Sequence, residues 1–285
     1  MENRRYWIFG VLWLGMLMVI PREVWAQGKN FTEKVNGVEF EMIYVKGGTF
    51  MMGATAEQDD AYDDEKPVHQ VTLSDYYMGK FEVTQGLWEA VMGSNPSSFQ
   101  KGDDYPVEKV SWNDVQTFLS KLNQLTGKKY ALPTEAQWEY AARGGKGGNT
   151  NVYVWCGGGA IAFSSTVSGS SGRSEPTKYS GSNDVDEVAW YYDNSGFSTH
   201  IVGTKFPNAL GIYDMSGNVW EWCSDWDGSY DSEAQTDPMG PVSGSLRVLR
   251  GGSWFSSASE CRVSNRNAIY PSGCYGSGFR VVLLP

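Results

Sequence analysis

Four cysteines (Cys156, Cys223, Cys261 and Cys274) and two histidines (His69 and His200) are the soft and nitrogenous groups available for chemistry. Their spacings match no zinc pattern, and two disulfides would have three possible connectivities. A nucleophilic Cys261 would need an activating base, and neither histidine stands in a motif linked to it. Hard-cation chemistry has a better frame. Asp214, Gly217, Val219 and Glu221 stand at spacings of three, two and two. Two carboxylates offer charged oxygens, and a turn through Gly217 can aim backbone carbonyls inward, which suits a hard cation. The alternative is that Asp214 and Glu221 are solvated acids on a turn.

The elements that must position these groups are short. With aromatic residues at 14% and 34 glycines, the composition suits a turn-rich domain with few long regular elements. Thr84 opens a short helix through Trp88 and Met92. Ser111 with Asp114, and Thr134 with Gln137, are capping-box pairs that predict two more helices. Val115, Phe118, Leu119, Leu122 and Leu125 recur at helical spacing until Gly127 stops the second helix. The third passes Trp138 and Ala142 and ends at Gly144-Gly145. Alternation predicts strands over residues 39–45, 49–52, 69–73 and 76–78. Residues 144–182 are rich in Gly and Ser and read as an elaborated surface loop or insertion.

Residues 1–26 read as a signal peptide. Arg4 and Arg5 precede an uncharged apolar run over residues 6–20, Pro21 breaks it, and Val24-Trp25-Ala26 offers small residues at the cleavage positions. The run's 15 residues fall short of the roughly 20 a spanning helix needs, so a retained anchor is the lesser reading. The chain carries a net charge of −10, and losing three arginines and two glutamates with residues 1–26 leaves −11. Such a domain repels nucleic acid and anionic lipid. Neither nucleic acid nor membrane insertion of the mature domain is expected. The mature chain is expected in the periplasm, at the cell surface or outside the cell.

Several blocks carry a family resemblance across residues 27–285. They include Gly47-Gly48-Thr49-Phe50-Met51-Met52-Gly53 and Leu132-Pro133-Thr134-Glu135-Ala136-Gln137-Trp138-Glu139. Gly217-Asn218-Val219-Trp220-Glu221-Trp222, Arg250-Gly251-Gly252-Ser253-Trp254 and Gly278-Phe279-Arg280 follow. In this order they resemble the formylglycine-generating-enzyme, or sulfatase-modifying-factor, family. The resemblance implies an α+β domain with a C-type-lectin-like core and low regular secondary structure. It also implies that Asp214 and Glu221, with backbone oxygens of Gly217 and Val219, hold a structural calcium.

The oxidase members convert a substrate cysteine to formylglycine with Cu(I) held by two thiolates, which suit that soft ion. In the family pattern those cysteines stand five apart after the Arg-Gly-Gly-Ser block. Cys261 matches the second, but Ser256 occupies the first, and a hydroxyl is a hard, weak ligand for Cu(I). Ser253 and Trp220 match pocket-lining positions without supplying the missing sulfur. Copper is therefore not expected. Cys223 follows a motif near the same cleft, and a structural disulfide or close buried pair with Cys261 is favoured over a metal pair.

The run over residues 255–277 contains no Lys, Gln, Met or Trp and a single Glu. Fixed-looking words such as Cys261-Arg262-Val263-Ser264-Asn265-Arg266 alternate with clusters of Ser, Tyr, Gly, Phe and Ile. This resembles the variable proteins of diversity-generating retroelements, in which adenine randomisation of asparagine codons reaches Phe, Ser, Ala, Ile, Tyr, Gly and Cys but not Lys, Gln, Met or Trp. The resemblance implies a variable region over residues 254–280. The expected contact face comprises Trp254, Phe255, Ser256, Ser257, Ser259 and Glu260, then Ala268, Ile269 and Tyr270, then Gly273, Cys274, Tyr275 and Ser277. Tyr and Phe supply rigid contact area there, while Ser and Gly adapt. The expected ligand is a protein or a glycan. An ordinary loop-rich C-terminal lobe and a true oxidase are the rival readings.

Overall fold

A computed structural model describes residues 28–145, 151–155, 160–164 and 176–284. The expected signal peptide, Cys156 and much of the Gly- and Ser-rich stretch lie outside the described residues. β1 (Phe31–Val35) and β2 (Val38–Val45) form an antiparallel hairpin that turns at Asn36 and Gly37, both at positive φ. Side chains alternate across β2, so Met42 enters one core cluster while Ile43 and Val45 enter another. β3 (Gly48–Met52) pairs with β4 (His69–Leu73) and not with β2, so the chain changes sheets at Gly47. A Cβ on Gly47 would lie 2.3 Å from the Leu73 carbonyl oxygen, which only glycine permits. β5 (Tyr76–Gly79) returns to pair with β2.

The three expected helices begin where their caps predict. α1 (Gln85–Met92) starts at Thr84, whose hydroxyl accepts the Leu87 N–H, and stops at Gly93 in the left-handed region. α2 (Trp112–Thr126) carries the reciprocal Ser111–Asp114 box and ends at Gly127. Two-residue β6 (Tyr130–Ala131) leads to α3 (Glu135–Ala142), capped by Thr134 and Gln137. Every residue of α3 is buried, so its carboxylates Glu135 and Glu139 enter the interior with it.

Within the Gly- and Ser-rich stretch, β7 (Asn151–Trp155) and β8 (Ala160–Ser164) form an antiparallel pair. Its last residues belong to the interior. Tyr179 and Ser180 are buried, and the Ser180 hydroxyl donates to the Ala142 carbonyl at 2.8 Å. Next come the short helix α4 (Val185–Val188) and β9 (Ala189–Trp190), which runs parallel to β10 (Ser216–Gly217).

β11 (Trp220–Trp226) lies inside the sheet that carries the C-terminal residues. β12 (Gln235–Thr236) joins β4 in the other sheet, while β13 (Arg247–Arg250) pairs antiparallel with β11 and then with β14 (Arg266–Ile269). β15 (Ser277–Gly278) runs parallel to β11 on its other side, and β16 (Val282–Leu283) inserts between β5 and β6. A strand from the last described residues is thus held between β5 and β6 within the first sheet. Beneath α1 and α2, Trp88 stacks on Phe118 at 5.2 Å and Phe279 meets Phe118 edge-on at 5.2 Å. Burying each such side chain contributes about 2–3 kcal/mol.

Candidate functional site

The turn after β13 builds a surface with its neighbour at residues 190–200. The Trp254 N–H donates to the Asn218 carbonyl at 2.8 Å, and the Ser195 hydroxyl donates to the Trp254 carbonyl at 2.6 Å. The Tyr192 N–H donates to the Ser256 carbonyl at 3.0 Å. These bonds strap two loops together and leave three rings outside: Tyr192 45%, Phe197 56% and Phe255 59% exposed. Their centroids lie 5.2 Å apart for Tyr192–Phe197 and 5.6 Å for Tyr192–Phe255, and half-buried Trp254 adds a contact to Phe255 at 5.3 Å. Phe99 supports Trp254 edge-on at 5.1 Å. Phe197 holds φ at 60°, a left-handed conformation that an aromatic residue rarely adopts. A contiguous exposed aromatic group of this kind is a candidate interaction surface.

Of the sequence-predicted contact residues, Phe255, Ser257, Tyr270 and Tyr275 are exposed, while Ser259, Glu260, Ala268, Ile269, Gly273 and Cys274 are half-buried. Ser256 and Ser277 are buried, which removes them from the contact face. Ser256 turns inward because its N–H donates to the Ser253 carbonyl at 2.9 Å, with the two hydroxyls 3.4 Å apart. Ser277 is held in β15, where its carbonyl accepts the Val110 N–H at 3.4 Å. Tyr192 and Phe197 were missed by sequence reasoning. Their only signal is aromatic residues in an aperiodic segment around Gly196.

Cys261 is buried in a cluster with Tyr179 and Tyr191, whereas Cys223 is buried in the cluster around Trp138. Both are free, as is Cys274, so the expected bond or close pair between Cys223 and Cys261 is not formed. Burial pushes the Cys261 thiol up, with help from Glu260, and burial pushes Cys223 up as well. A Cβ on Gly252 would come within 2.8 Å of the Cys261 sulfur, so the Gly251-Gly252 backbone packs directly on it. His200 stacks on Trp190 at 3.8 Å and His69 packs tilted against Tyr230 at 4.8 Å, so both rings have other partners than this thiol. Ser253 and Trp220 are also buried and carry no charge.

Neither acid of the predicted cation frame is a solvated surface group, since Asp214 and Glu221 are both buried. Glu221 is held by Arg280, Nε to Oε2 at 2.6 Å and Nη2 to Oε1 at 2.5 Å, and by the Trp138 indole at 2.7 Å. Glu82 joins them, accepting the Asn218 side-chain amide at 2.7 Å and the Val219 N–H at 3.1 Å. Burial raises Glu82, and Asp214 and Glu221 raise it further. Asp214 Oδ2 accepts the Gly203 N–H at 2.6 Å, but its buried Oδ1 has no hydrogen-bond partner. Burial pushes Asp214 up to about 6. Gly217 is obligatory, because a Cβ there would lie 2.4 Å from the Trp190 carbonyl oxygen. Three carboxylates thus face one guanidinium, and one carboxylate oxygen has no donor. The unpartnered Asp214 oxygen is of a type that can ligate a hard cation. Among the described residues no three His, Cys, Asp or Glu side chains converge as a metal site, so a cation here would also need backbone oxygens.

The family described as "Sulfatase-modifying factor enzyme 1-like domain" matches residues 27–284. The chain belongs to this family. Among solved structures, Treponema denticola variable protein 1 is similar at a TM-score of 0.75 and 32% identity over 90% of this chain and 99% of that one. The formylglycine-generating enzyme of Streptomyces coelicolor is 31% identical over 84% of this chain and 87% of its own. A Paenibacillus barcinonensis protein named chaperone protein LppX is 32% identical over 86% and 90%. The sulfatase-modifying-factor fold, α+β and C-type-lectin-like, is therefore the fold of this chain, and the expected likeness to a variable protein holds. Among the described residues no helix is long and apolar enough to cross a membrane.

Proposed function

We propose that this chain is an exported binding protein that recognises a protein or glycan through the aromatic face around Phe255, on a scaffold that does not perform the family's oxidation. One turn carries the reading. Ser256, where the oxidase pattern has a thiolate, is buried, while Phe255 beside it is exposed and meets Tyr192. The 32% identity with a variable protein over almost all of that protein's length supports it. Diversification would act on the exposed positions within residues 254–280, while buried Arg262, Arg266 and Arg280 keep the scaffold beneath them constant. A calcium ion at Asp214 and Glu221, with the Gly217 and Val219 backbone oxygens, would serve structure and not chemistry. Export rests on the character of residues 1–26.

The second reading, a copper-dependent oxidase that modifies a sulfatase cysteine, draws on Cys261 and on the 31% identity with the Streptomyces coelicolor enzyme. Anaerobic Cu(I) titration of the reduced protein separates the two. The wild-type chain is expected to bind no stoichiometric Cu(I) and to leave a cysteine-containing peptide unoxidised, and Ser256→Cys is expected to gain Cu(I) binding. Aldehyde formation on the peptide by the wild type would overturn the binding-only reading. Diversification is read from the locus: a near-copy of the 3′ coding end, differing at adenines and beside a reverse transcriptase gene. An intact locus with neither would remove that part.

A further inference from the structure

A second cavity, of about 480 Å³, lies away from the aromatic face, between α3, the end of β11 and the loop that follows it. Four of its polar lining residues, His69, Glu135, Asp225 and Arg266, are buried, and they are unequally satisfied. Arg266 donates Nε and Nη2 to Glu135 at 2.6 and 2.9 Å, and Nη1 to the Asp64 and Gly228 carbonyls at 3.1 and 3.0 Å. Glu135 also receives Arg250 at 2.8 Å and the Tyr230 hydroxyl at 3.1 Å. The one lining cation and its carboxylate therefore consume each other, which leaves little to attract an anion.

Two lining groups retain free acceptor atoms. His69 is 3% exposed, and its Nδ1 lies 3.1 Å from the Pro67 carbonyl oxygen. That bond places a proton on Nδ1, so in the neutral imidazole Nε2 is a lone-pair acceptor with no hydrogen-bond partner. Asp225 is 4% exposed; its Oδ2 accepts the Glu135 N–H at 3.0 Å and the Ser224 hydroxyl at 2.8 Å. Its Oδ1 has no donor, and a Cβ on Gly240 would reach within 3.1 Å of that oxygen. Met52, Pro238, Met239 and Pro241 give the same cavity an apolar wall.

The two rings of the lining are already engaged. Tyr230 carries His69 at 4.8 Å and Arg266 at 4.2 Å, and Trp226 carries Arg247 at 3.5 Å. A ligand that needs an open ring face, such as a stacked sugar, is poorly served. A group with donors only and a slim apolar stem is better served: two of its N–H bonds find His69 Nε2 and Asp225 Oδ1, and its charge meets a carboxylate that makes no direct ion pair among the described residues. We propose that this cavity is a binding site for a primary ammonium on an unbranched alkyl stem, either a small free amine or the end of a lysine side chain. Burial, with Glu135, pushes Asp225 up to about 7, and a cation beside it would favour the carboxylate again.

The test follows the methyl signals of Met52 and Met239 by NMR while the purified chain is titrated with n-butylammonium chloride or with 1-butanol. Saturable shifts are expected with the ammonium, at an affinity about tenfold or more above that of the alcohol of equal stem. Asp225→Asn is expected to bring the ammonium down to the level of the alcohol. Equal affinity for the two probes, or no saturable shift with the ammonium, overturns the site. That comparison is made on the wild-type chain and does not depend on the folding of a variant. Nα-acetyl-lysine methylamide distinguishes the sources: shifts like those of butylammonium assign a lysine side chain, and their absence beside a butylammonium response assigns a free amine.

Discussion

Arg262 grips Glu65 through both guanidinium nitrogens, Nη1 to Oε2 at 2.7 Å and Nη2 to Oε1 at 2.6 Å, with both side chains wholly buried. This pair ties the turn directly after Cys261 to a segment near the other end of the chain. It gives the exposed C-terminal loops a rigid base, so a surface can change in residue type without loosening the fold beneath.

Removing one partner of such a pair leaves an uncompensated buried charge, so Arg262→Ala is expected to cost about 3–5 kcal/mol in chemical unfolding. Burial opposes ionisation of Glu65, but Arg262, Ser264 and the Tyr62 N–H outweigh it and hold its carboxyl below the usual range. Its contribution is therefore present above the unfolded carboxyl value near ~4 and is lost as pH falls through the lower folded value. A variant as stable as the wild type would show that the pair is incidental.

Asp225 behaves in the opposite sense. Its folded value of about 7 lies above the unfolded one, so the folded state holds the extra proton. Stability from this group is complete below about 4, falls as pH rises, and levels off above about 7. Glu135, Arg266 and Arg247 face it, and Glu135 is held low by Arg266 and Arg250 against its own burial, so it does not titrate in that window. Urea unfolding of Asp225→Asn is expected to show a gain over the wild type at pH 8 that disappears by pH 4. An unchanged difference at both pH values would contradict the assignment.

Phe197 tests whether the aromatic face exists for contact or for packing. Its left-handed backbone costs an L-residue about 1 kcal/mol relative to glycine. Phe197→Gly offsets lost ring contacts by relieving that strain, so Tm is expected to stay level or rise. Binding of an apolar fluorescent dye to the face is expected to weaken in the same variant. A clear drop in Tm would make the ring structural.

For the proposed calcium, chelator is expected to lower Tm and added calcium to restore it. The gain approaches about 2.7 kcal/mol when free calcium stands a hundredfold above its dissociation constant. Asp214→Ala is expected to abolish the response. A wild-type Tm indifferent to both reagents would leave the Asp214 and Glu221 cluster as an ion pair with Arg280 and nothing more.

Some of this protein is determined by sequence over a few residues. The Ser111–Asp114 and Thr134–Gln137 boxes set their helix starts because the bonds that define them span three positions. The alternation of Met42, Ile43 and Val45 sets which core each enters, because strand geometry has period two. That Ser256 stands where the oxidase pattern calls for a cysteine is likewise legible from a fixed spacing. Tertiary structure decided the rest. Tyr192 and Phe197 reach Phe255 only through backbone bonds between segments distant in sequence, and no local pattern encodes them. Ser256 and Ser277 look like surface residues by type but are buried by the Ser253 turn and the β15 ladder. Cys223 and Cys261 were separated because their strands and turns deliver them to different cores. Local bonds act over a few residues and can be read along the chain, whereas a contact face depends on which loops the sheets bring side by side.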